Sequence, residues 1–221
     1  MRTIVISDIH GCYNELKNLL TKLETNKKYQ KGVDRLIFLG DYIDRGKDSA
    51  KVIEFIRKLQ NDYDNVIALK GNHEDMCVNF FRYGDKTWKF NGDKSTTKSY
   101  KGYGGILRDI NWMENLPLYY EDEYFIYVHA GINPTKPLDK QSEYDLLWVR
   151  QPFIYSLESF DKKVIFGHSP AQLINESDKP YYTYAGNIGI DTGCVFGGCL
   201  TALIIEDDEV TGFWQTHKEQ N

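Results

Sequence analysis

The feature that most constrains this chain is a recurring pair: a short, unbroken run of β-branched and aromatic residues, followed at once by glycine or serine and a titratable side chain. Thr3–Ile6 runs into Ser7-Asp8-Ile9-His10-Gly11, Leu36–Leu39 into Gly40-Asp41-Tyr42-Ile43-Asp44-Arg45-Gly46, and Val66–Leu69 into Gly71-Asn72-His73-Glu74. Tyr124–Val128 ends in His129-Ala130-Gly131, and Val164–Phe166 in Gly167-His168-Ser169. Unbroken apolar runs of this length read as strands buried on both faces. Between the early runs, Leu16, Leu19, Leu20 and Leu23 recur at i, i+3, i+4, i+7, and Val52, Phe55, Ile56 and Leu59 repeat the pattern. The first half therefore alternates strand and helix, an α/β arrangement.

The second half changes character. Strand signals at Ile188–Ile190 and Leu200–Ile205 crowd together, and Asp207-Asp208 before Val210–Trp214 predicts a closing antiparallel hairpin. A chain of 221 residues, 41% of them hydrophobic, can bury about 70% of its unfolded surface, so residues 1–221 are expected to form a single domain. The stretch from Gly84 to Gly105 holds five glycines and the polar string Asp93-Lys94-Ser95-Thr96-Thr97-Lys98-Ser99. It predicts a long irregular connection, either a mobile loop or a surface that reads the substrate.

Charge and cysteine content exclude several classes. With 27 Lys+Arg against 32 Asp+Glu the net charge is −5, and no basic run suits a nucleic-acid backbone as the main partner. No stretch approaches the ~20 apolar residues of a membrane span, and the opening apolar burst meets Asp8 before a signal sequence could form. Four sparse cysteines, Cys12, Cys77, Cys194 and Cys199, point to a reduced, cytoplasmic chain. Cys194 and Cys199 are expected to be buried core thiols, although their closeness leaves a redox role open.

Five strand ends deliver Asp, His, Asp, Asn, His and His to one kind of position, and the carboxyl ends of strands are where open α/β sheets bind ligands. Imidazole with carboxylate suits borderline divalent ions such as Mn, Fe and Zn, and an Asn carbonyl adds a hard neutral oxygen. A catalytic ion with an open position takes about three protein ligands, so six side chains fit two ions. Such a pair, ~3.5–4 Å apart, needs a shared carboxylate to screen its repulsion. Asp41 is the natural bridge. Each cassette also has an ordinary reading: a turn histidine, a helix start with Glu74 in its first turn, or a local Asp44–Arg45 ion pair. Three such strings in order at strand ends are not an accident. Of the five histidines, only His217 in the polar tail stands outside the set and is expected to be solvated.

Asp8-Ile9-His10-Gly11, Gly40-Asp41-Tyr42-Ile43-Asp44-Arg45-Gly46 and Gly71-Asn72-His73-Glu74 resemble the G-D-x-H-G, G-D-x-V-D-R-G and G-N-H-E signatures of the PPP-type metallophosphatases. The likeness continues through Leu146-Leu147-Trp148-Val149-Arg150, Gly167-His168-Ser169 and Asp191-Thr192-Gly193-Cys194. Length and the segment from Trp88 to Tyr100 are most similar to the compact bacterial and phage members. Ser7 and Ala130 stand where the family usually has glycine, which puts the local backbone angle in question.

The resemblance implies a central β-sandwich of mixed sheets flanked by helices, with a dinuclear site at the strand C-terminal rim. It implies that Asp8, His10 and Asp41 hold one ion and Asp41, Asn72, His129 and His168 the other, two divalent ions in all, with Mn first and Fe or Zn also acceptable. A water bridging them would be the nucleophile. His73 would protonate the leaving group, Asp44 would orient His73 and favour its charged form, and Arg45 and Arg150 would grip phosphoryl oxygens. An ordinary surface role for Arg150, its stem packed beside Trp148, is the competing reading. The activity implied is that of a metal-dependent phosphomonoester hydrolase, foremost a serine/threonine protein phosphatase with a phosphoprotein or phosphopeptide substrate, dual specificity being open. The alternative is a symmetrical dinucleoside tetraphosphatase of the same fold with a nucleotide substrate. Those enzymes usually lack the second Asp of the second signature, whereas this chain keeps Asp44. A catalytically dead binding module is disfavoured because all six ligands are present.

Overall fold

A computed structural model of the chain describes residues 1–218. Its first sheet contains β1 (Thr3–Ile6), β2 (Arg35–Phe38) and β3 (Val66–Ala68) as parallel neighbours. The sheet's other edge is the hairpin of β9 (Cys199–Glu206) and β10 (Glu209–His217), antiparallel to β1. The second sheet repeats the plan, with β5 (Phe125–Val128), β6 (Lys163–Phe166) and β8 (Ile188–Gly189) parallel, flanked by antiparallel β4 (Tyr119–Glu121) and β7 (Tyr181–Tyr182). This is the expected α/β sandwich of two mixed sheets with helices outside.

The unbroken apolar runs follow from this layering. In β1, Val5 faces the second sheet, packed in one cluster with Tyr127, Ile165 and Leu203. Ile4 and Ile6 face the other way, in a cluster with Leu16, Leu19 and Leu23 of α1 (Tyr13–Thr25) and Ile53 and Ile56 of α2 (Ser49–Asp62). Each such fully buried aliphatic side chain contributes about 1.5–3 kcal/mol, so a strand wet on one face is not an option for this sequence. The outer face of the second sheet is covered more thinly by three short helices, α6 (Glu143–Trp148), α7 (Gln151–Ile154) and α8 (Ala171–Asn175), through Leu146, Phe153, Ile154 and Ala171.

Asp207 and Asp208 both adopt left-handed φ, +49° and +65°, the geometry that a two-residue hairpin turn requires, so the closing hairpin forms where expected. The reading of Gly84 to Gly105 as an irregular loop is corrected. After α3 (Asn72–Tyr83) it contains a 3-10 turn (Thr87–Phe90) and α4 (Asp93–Ser99), and it runs into α5 (Tyr103–Glu114). Ser and Thr are weak helix formers that compete for backbone hydrogen bonds, so local preference hid α4. Tertiary contacts hold it: Trp88 and Thr96 are fully buried. No helix among the described residues is long and apolar enough to cross a membrane.

Candidate metal centre

The rim where the strands end gathers the expected residues. Asp8 and His10 follow β1, Asp41, Asp44 and Arg45 follow β2, and Asn72 and His73 open α3 just after β3. From the second sheet come His129 after β5 and His168 after β6. A cavity of about 310 Å³ is lined by Asp8, His10, Asp41, Arg45, Asn72, His73, Arg150 and His168. His129 and Asp44 lie beneath it, fully buried.

The backbone there is held in costly conformations. Among the described residues ten non-glycine positions have positive φ, and five are site residues: His10, Asp41, Asp44, Arg45 and His168. Each costs on the order of 1–3 kcal/mol and persists only where its surroundings enforce it. Glu74 supplies much of that enforcement. Its Oε2 accepts the N–H of Asp41 (2.8 Å) and Gly71 (3.0 Å), and its Oε1 those of Tyr42 (2.8 Å) and Ile43 (3.2 Å). Burial and the Asp41 charge push the Glu74 carboxyl up to about 8, while backbone donors oppose them. The Asp41 carbonyl in turn accepts Ile9 N–H and His10 N–H at 3.0 and 2.8 Å, so the three cassettes of the first sheet are tied to one another. Close approach explains two glycines: a Cβ on Gly167 would lie 2.2 Å from Asp8 Oδ1, and one on Gly40 (φ +105°) 2.5 Å from Gly71 N. Ser7 and Ala130 have no positive φ, so their departure from glycine leaves the backbone undisturbed.

Asp41 sits between two groups of donors, one of His10, Asp41 and His73, the other of Asp41, His129 and His168. Its Oδ2 is 3.3 Å from His10 Nε2 and its Oδ1 3.5 Å from His129 Nε2. Nδ1 of His10 pairs with the Ile43 carbonyl at 2.7 Å and Nδ1 of His129 with the Leu39 carbonyl at 3.0 Å. In the neutral rings these bonds place the proton on Nδ1 and turn the Nε2 lone pair toward the cavity, as metal-ligating histidines require. Asn72 Oδ1 lies 2.9 Å from His129 Nε2. Nε2 of His168 is buried without any hydrogen-bond partner. Burial, then His129 and Arg150, push His168 well below its ordinary value, which keeps that lone pair free. Burial would lower His10 too, but the charge and hydrogen bond of Asp41 carry it up to about 9. Convergent lone pairs around a shared carboxylate, one of them orphaned, fit divalent cations. Asp8 is oriented otherwise: its carboxylate accepts the His168 N–H at 3.0 and 3.1 Å while bordering the same cavity.

His73 Nδ1 lies 2.6 Å from Asp44 Oδ2. Burial lowers His73 overall, although Asp41 and the Asp44 hydrogen bond act upward; the Asp44 effect has the expected sign, and desolvation outweighs it. The corrected segment explains how Asp44 is fixed. Trp88 Nε1 donates to Asp44 Oδ2 at 2.8 Å and Thr96 Oγ1 to Asp44 Oδ1 at 2.6 Å. Neither partner was legible in sequence, being 44 and 52 positions away; an indole and a hydroxyl in a polar stretch were the only signals.

Arg45 lies against His10 and over the Phe196 ring, 5.4 Å from its centroid. Arg150 Nη1 donates to the His168 carbonyl at 2.7 Å and approaches Ser169 Oγ at 3.2 Å; Arg150 lines the cavity, and Trp148 packs edge-on against His168. Asp191, which motif reading left without a role, also lines the cavity. Burial and the nearby Asp8 charge push it well above the carboxylate range. All four cysteines are free and buried, but the expected closeness of Cys194 and Cys199 is not the pairing that forms: Cys194 hydrogen-bonds Cys12, and Cys199 Sγ faces exposed His217, 3.2 Å from its Nδ1.

The pattern that defines the calcineurin-like phosphoesterases matches residues 1–197. An asymmetrical bis(5'-nucleosyl)-tetraphosphatase, PrpE of Oceanobacillus iheyensis, is 30% identical over 95% of this chain and 90% of its own. Among solved structures, a protein provisionally described as a diadenosine tetraphosphatase superposes with a TM-score of 0.73 at 21% identity, covering 100% of this chain and 95% of its own. A serine/threonine phosphatase of Saccharomyces cerevisiae superposes with a TM-score of 0.69 at 14% identity, covering 100% of this chain and 80% of its own. With its family pattern spanning nearly the whole chain and buried His/Asp clusters that fit a dinuclear site, this protein belongs to the calcineurin-like phosphoesterases and is a metal-dependent phosphoesterase.

Proposed function

We propose that the chain hydrolyses dinucleoside tetraphosphates asymmetrically, cutting one phosphoanhydride to leave a nucleoside triphosphate and a nucleoside monophosphate. The observation that carries this reading is the 30% identity, across 95% of the chain, with a protein of that named activity. The motifs alone point first to a protein phosphatase and second to a symmetrical tetraphosphatase; this reading differs from both in cutting the tetraphosphate asymmetrically.

Asp8, His10, Asp41, Asn72, His129 and His168 would hold two divalent ions, Mn by preference. When bound, such ions supply Lewis-acid stabilisation of phosphoryl charge and make water acidic enough to attack near neutral pH. Arg45 and Arg150 bind the phosphoryl oxygens with planar guanidinium donors. Asp44 fixes the His73 ring by accepting its Nδ1–H, and the imidazolium form, which Asp41 and Asp44 favour against burial, offers the Nε2 proton to the departing oxygen. As the P–O bond from water forms, the bridging P–O bond breaks and its electron pair leaves with the departing phosphate.

The second reading, a phosphomonoesterase acting on phosphoproteins, is favoured by the intact 2.6 Å His73–Asp44 pair. A serine alkoxide needs a proton on departure, a phosphate little. The two readings part in one experiment: turnover of diadenosine tetraphosphate and of phosphoserine and phosphothreonine peptides by the same Mn²⁺-loaded protein. The first reading expects the dinucleotide to be cut to ATP and AMP with the higher kcat/KM. Symmetrical cleavage to two ADP, or a higher kcat/KM for the peptides, overturns it.

A further inference from the structure

A second cavity, of about 540 Å³, adjoins the first, and the two share Pro170, Leu173 and Phe196 as walls. Ligand sites run from about 300 to 1,000 Å³. Leu173 is 77% exposed and Phe196 64% exposed. One exposed apolar side chain is ordinary, but two lining the same opening beside a charged site call for an account. Phe196 closes a 3-10 turn (Cys194–Phe196) whose flanking residues, Gly193 at φ +65° and Gly197 at φ +95°, are both left-handed. That backbone holds the ring out of the core. Arg45 stacks on it, so one aromatic ring belongs both to the phosphate-facing cavity and to its apolar neighbour. Leu173 projects from α8, a helix anchored by buried Ala171 and half-buried Ile174. Beyond these walls stand Asp178 and His217, a hydrogen-bond acceptor and a group able to donate.

We propose that this second cavity is a nucleoside subsite, taking the base and ribose of a nucleotide whose phosphate occupies the cavity of His10, Asp41 and His168. The base packs against Phe196 and Leu173, and the ribose hydroxyls meet Asp178 and His217. Stacking on an aromatic face tolerates any base, so the subsite recognises nucleotides as a class and discriminates weakly among bases. The inference deepens the tetraphosphatase reading and rests on it for the identity of the whole substrate.

The test is inhibition of p-nitrophenyl phosphate turnover by the Mn²⁺-loaded protein, with AMP, GMP, CMP and inorganic phosphate as inhibitors. AMP is expected to inhibit at a concentration at least tenfold below that of phosphate, with GMP and CMP within about threefold of AMP. Leu173→Glu is expected to bring the AMP-to-phosphate ratio to within twofold of one, and Leu173→Ser to reduce it by a smaller factor. The ratio is the readout, so a general loss of metal or fold, which weakens both inhibitors, does not imitate loss of the subsite. AMP no better than phosphate in the unaltered protein, or an unchanged ratio in both variants, overturns the proposal. Diadenosine tetraphosphate hydrolysis is followed in parallel. If AMP keeps its advantage while the tetraphosphate is not cut, the subsite stands and the tetraphosphatase reading falls; if the tetraphosphate is cut while AMP has no advantage, the reverse holds.

Discussion

The two sheets feed one cavity in unequal ways. On the first-sheet side, Glu74 accepts four backbone N–H groups, and Asp44 is held by His73, Trp88 and Thr96. On the second-sheet side, His168 Nε2 has no partner and Arg150 is an exposed side chain bonded to the His168 carbonyl. The first rim is pre-organised by its own hydrogen bonds, so it presents charge in fixed positions at no further reorganisation cost. The second leaves a buried nitrogen lone pair without a partner, at a cost of about 1–3 kcal/mol, which a bound cation would offset. The difference separates residues that shape the site from residues that wait for its contents.

The largest expected effect tests whether the two halves share a centre. Asp41→Asn is expected to remove both ions and to cut turnover by more than the ~10²–10⁴-fold that loss of a general acid gives. Metal analysis of the purified variant decides it, and retention of two ions would break the picture of a shared carboxylate. Next, His73→Asn should retain both ions and lose ~10²–10⁴-fold on phosphate esters with poor leaving groups, with a smaller loss on an anhydride. Wild-type turnover on the poor ester would remove the acid role.

The contrast between the rims is sharpest in stability. Above about pH 8, where Glu74 is ionised, Glu74→Gln should destabilise the metal-free protein by ~1–3 kcal/mol, because its amide cannot accept at both positions that four N–H groups require. His168→Asn should leave metal-free stability nearly unchanged while weakening metal binding, since the lost Nε2 had no partner to lose. Thermal unfolding of both variants with and without Mn²⁺ measures the difference, and equal destabilisation would erase the distinction.

Two smaller effects follow. His10, held up to about 9, carries a proton below that pH that an ion must displace, so metal affinity should rise with pH, by about tenfold per unit for one proton, and level off above about 9. Calorimetry in buffers of different ionisation enthalpy counts the released proton; none released at pH 7 would contradict the assignment. Trp88→Phe removes one hydrogen bond to a carboxylate, worth ~1.5–3 kcal/mol, and should lower turnover on esters about tenfold with metal content intact. An equal loss on substrates with good leaving groups would show damage beyond the Asp44–His73 pair.

How much of the site was legible depended on distance along the chain. A ligand that directly follows a buried strand inherits its place from that strand, and the strand announces itself by composition. That is why Asp8, His10, Asp41, Asn72, His129 and His168 could be named as candidate ligands from their cassettes and the family resemblance those carry. The segment from Gly84 to Gly105 failed the same treatment, because Thr96 is helical on account of Asp44 and not on account of its neighbours in sequence. Glu74 was read as a first-turn acid; its four backbone bonds depend on how the second and third cassettes fold over it. Asp191 was part of a motif with no role until the cavity brought it near Asp8.

By itself, then, the sequence determined the strand and helix alternation, the burial of the central strands and which residue types the strand ends deliver to one rim, since each follows from short-range pattern and side-chain chemistry. Tertiary structure alone decided which carboxylate oxygen faces which imidazole, what clamps Asp44, where Arg150 points and that an apolar cavity opens beside the phosphate site. Those outcomes are fixed by contacts between residues tens to more than a hundred positions apart, as in the Asp8–His168 bond across 160 positions, and no local pattern encodes them.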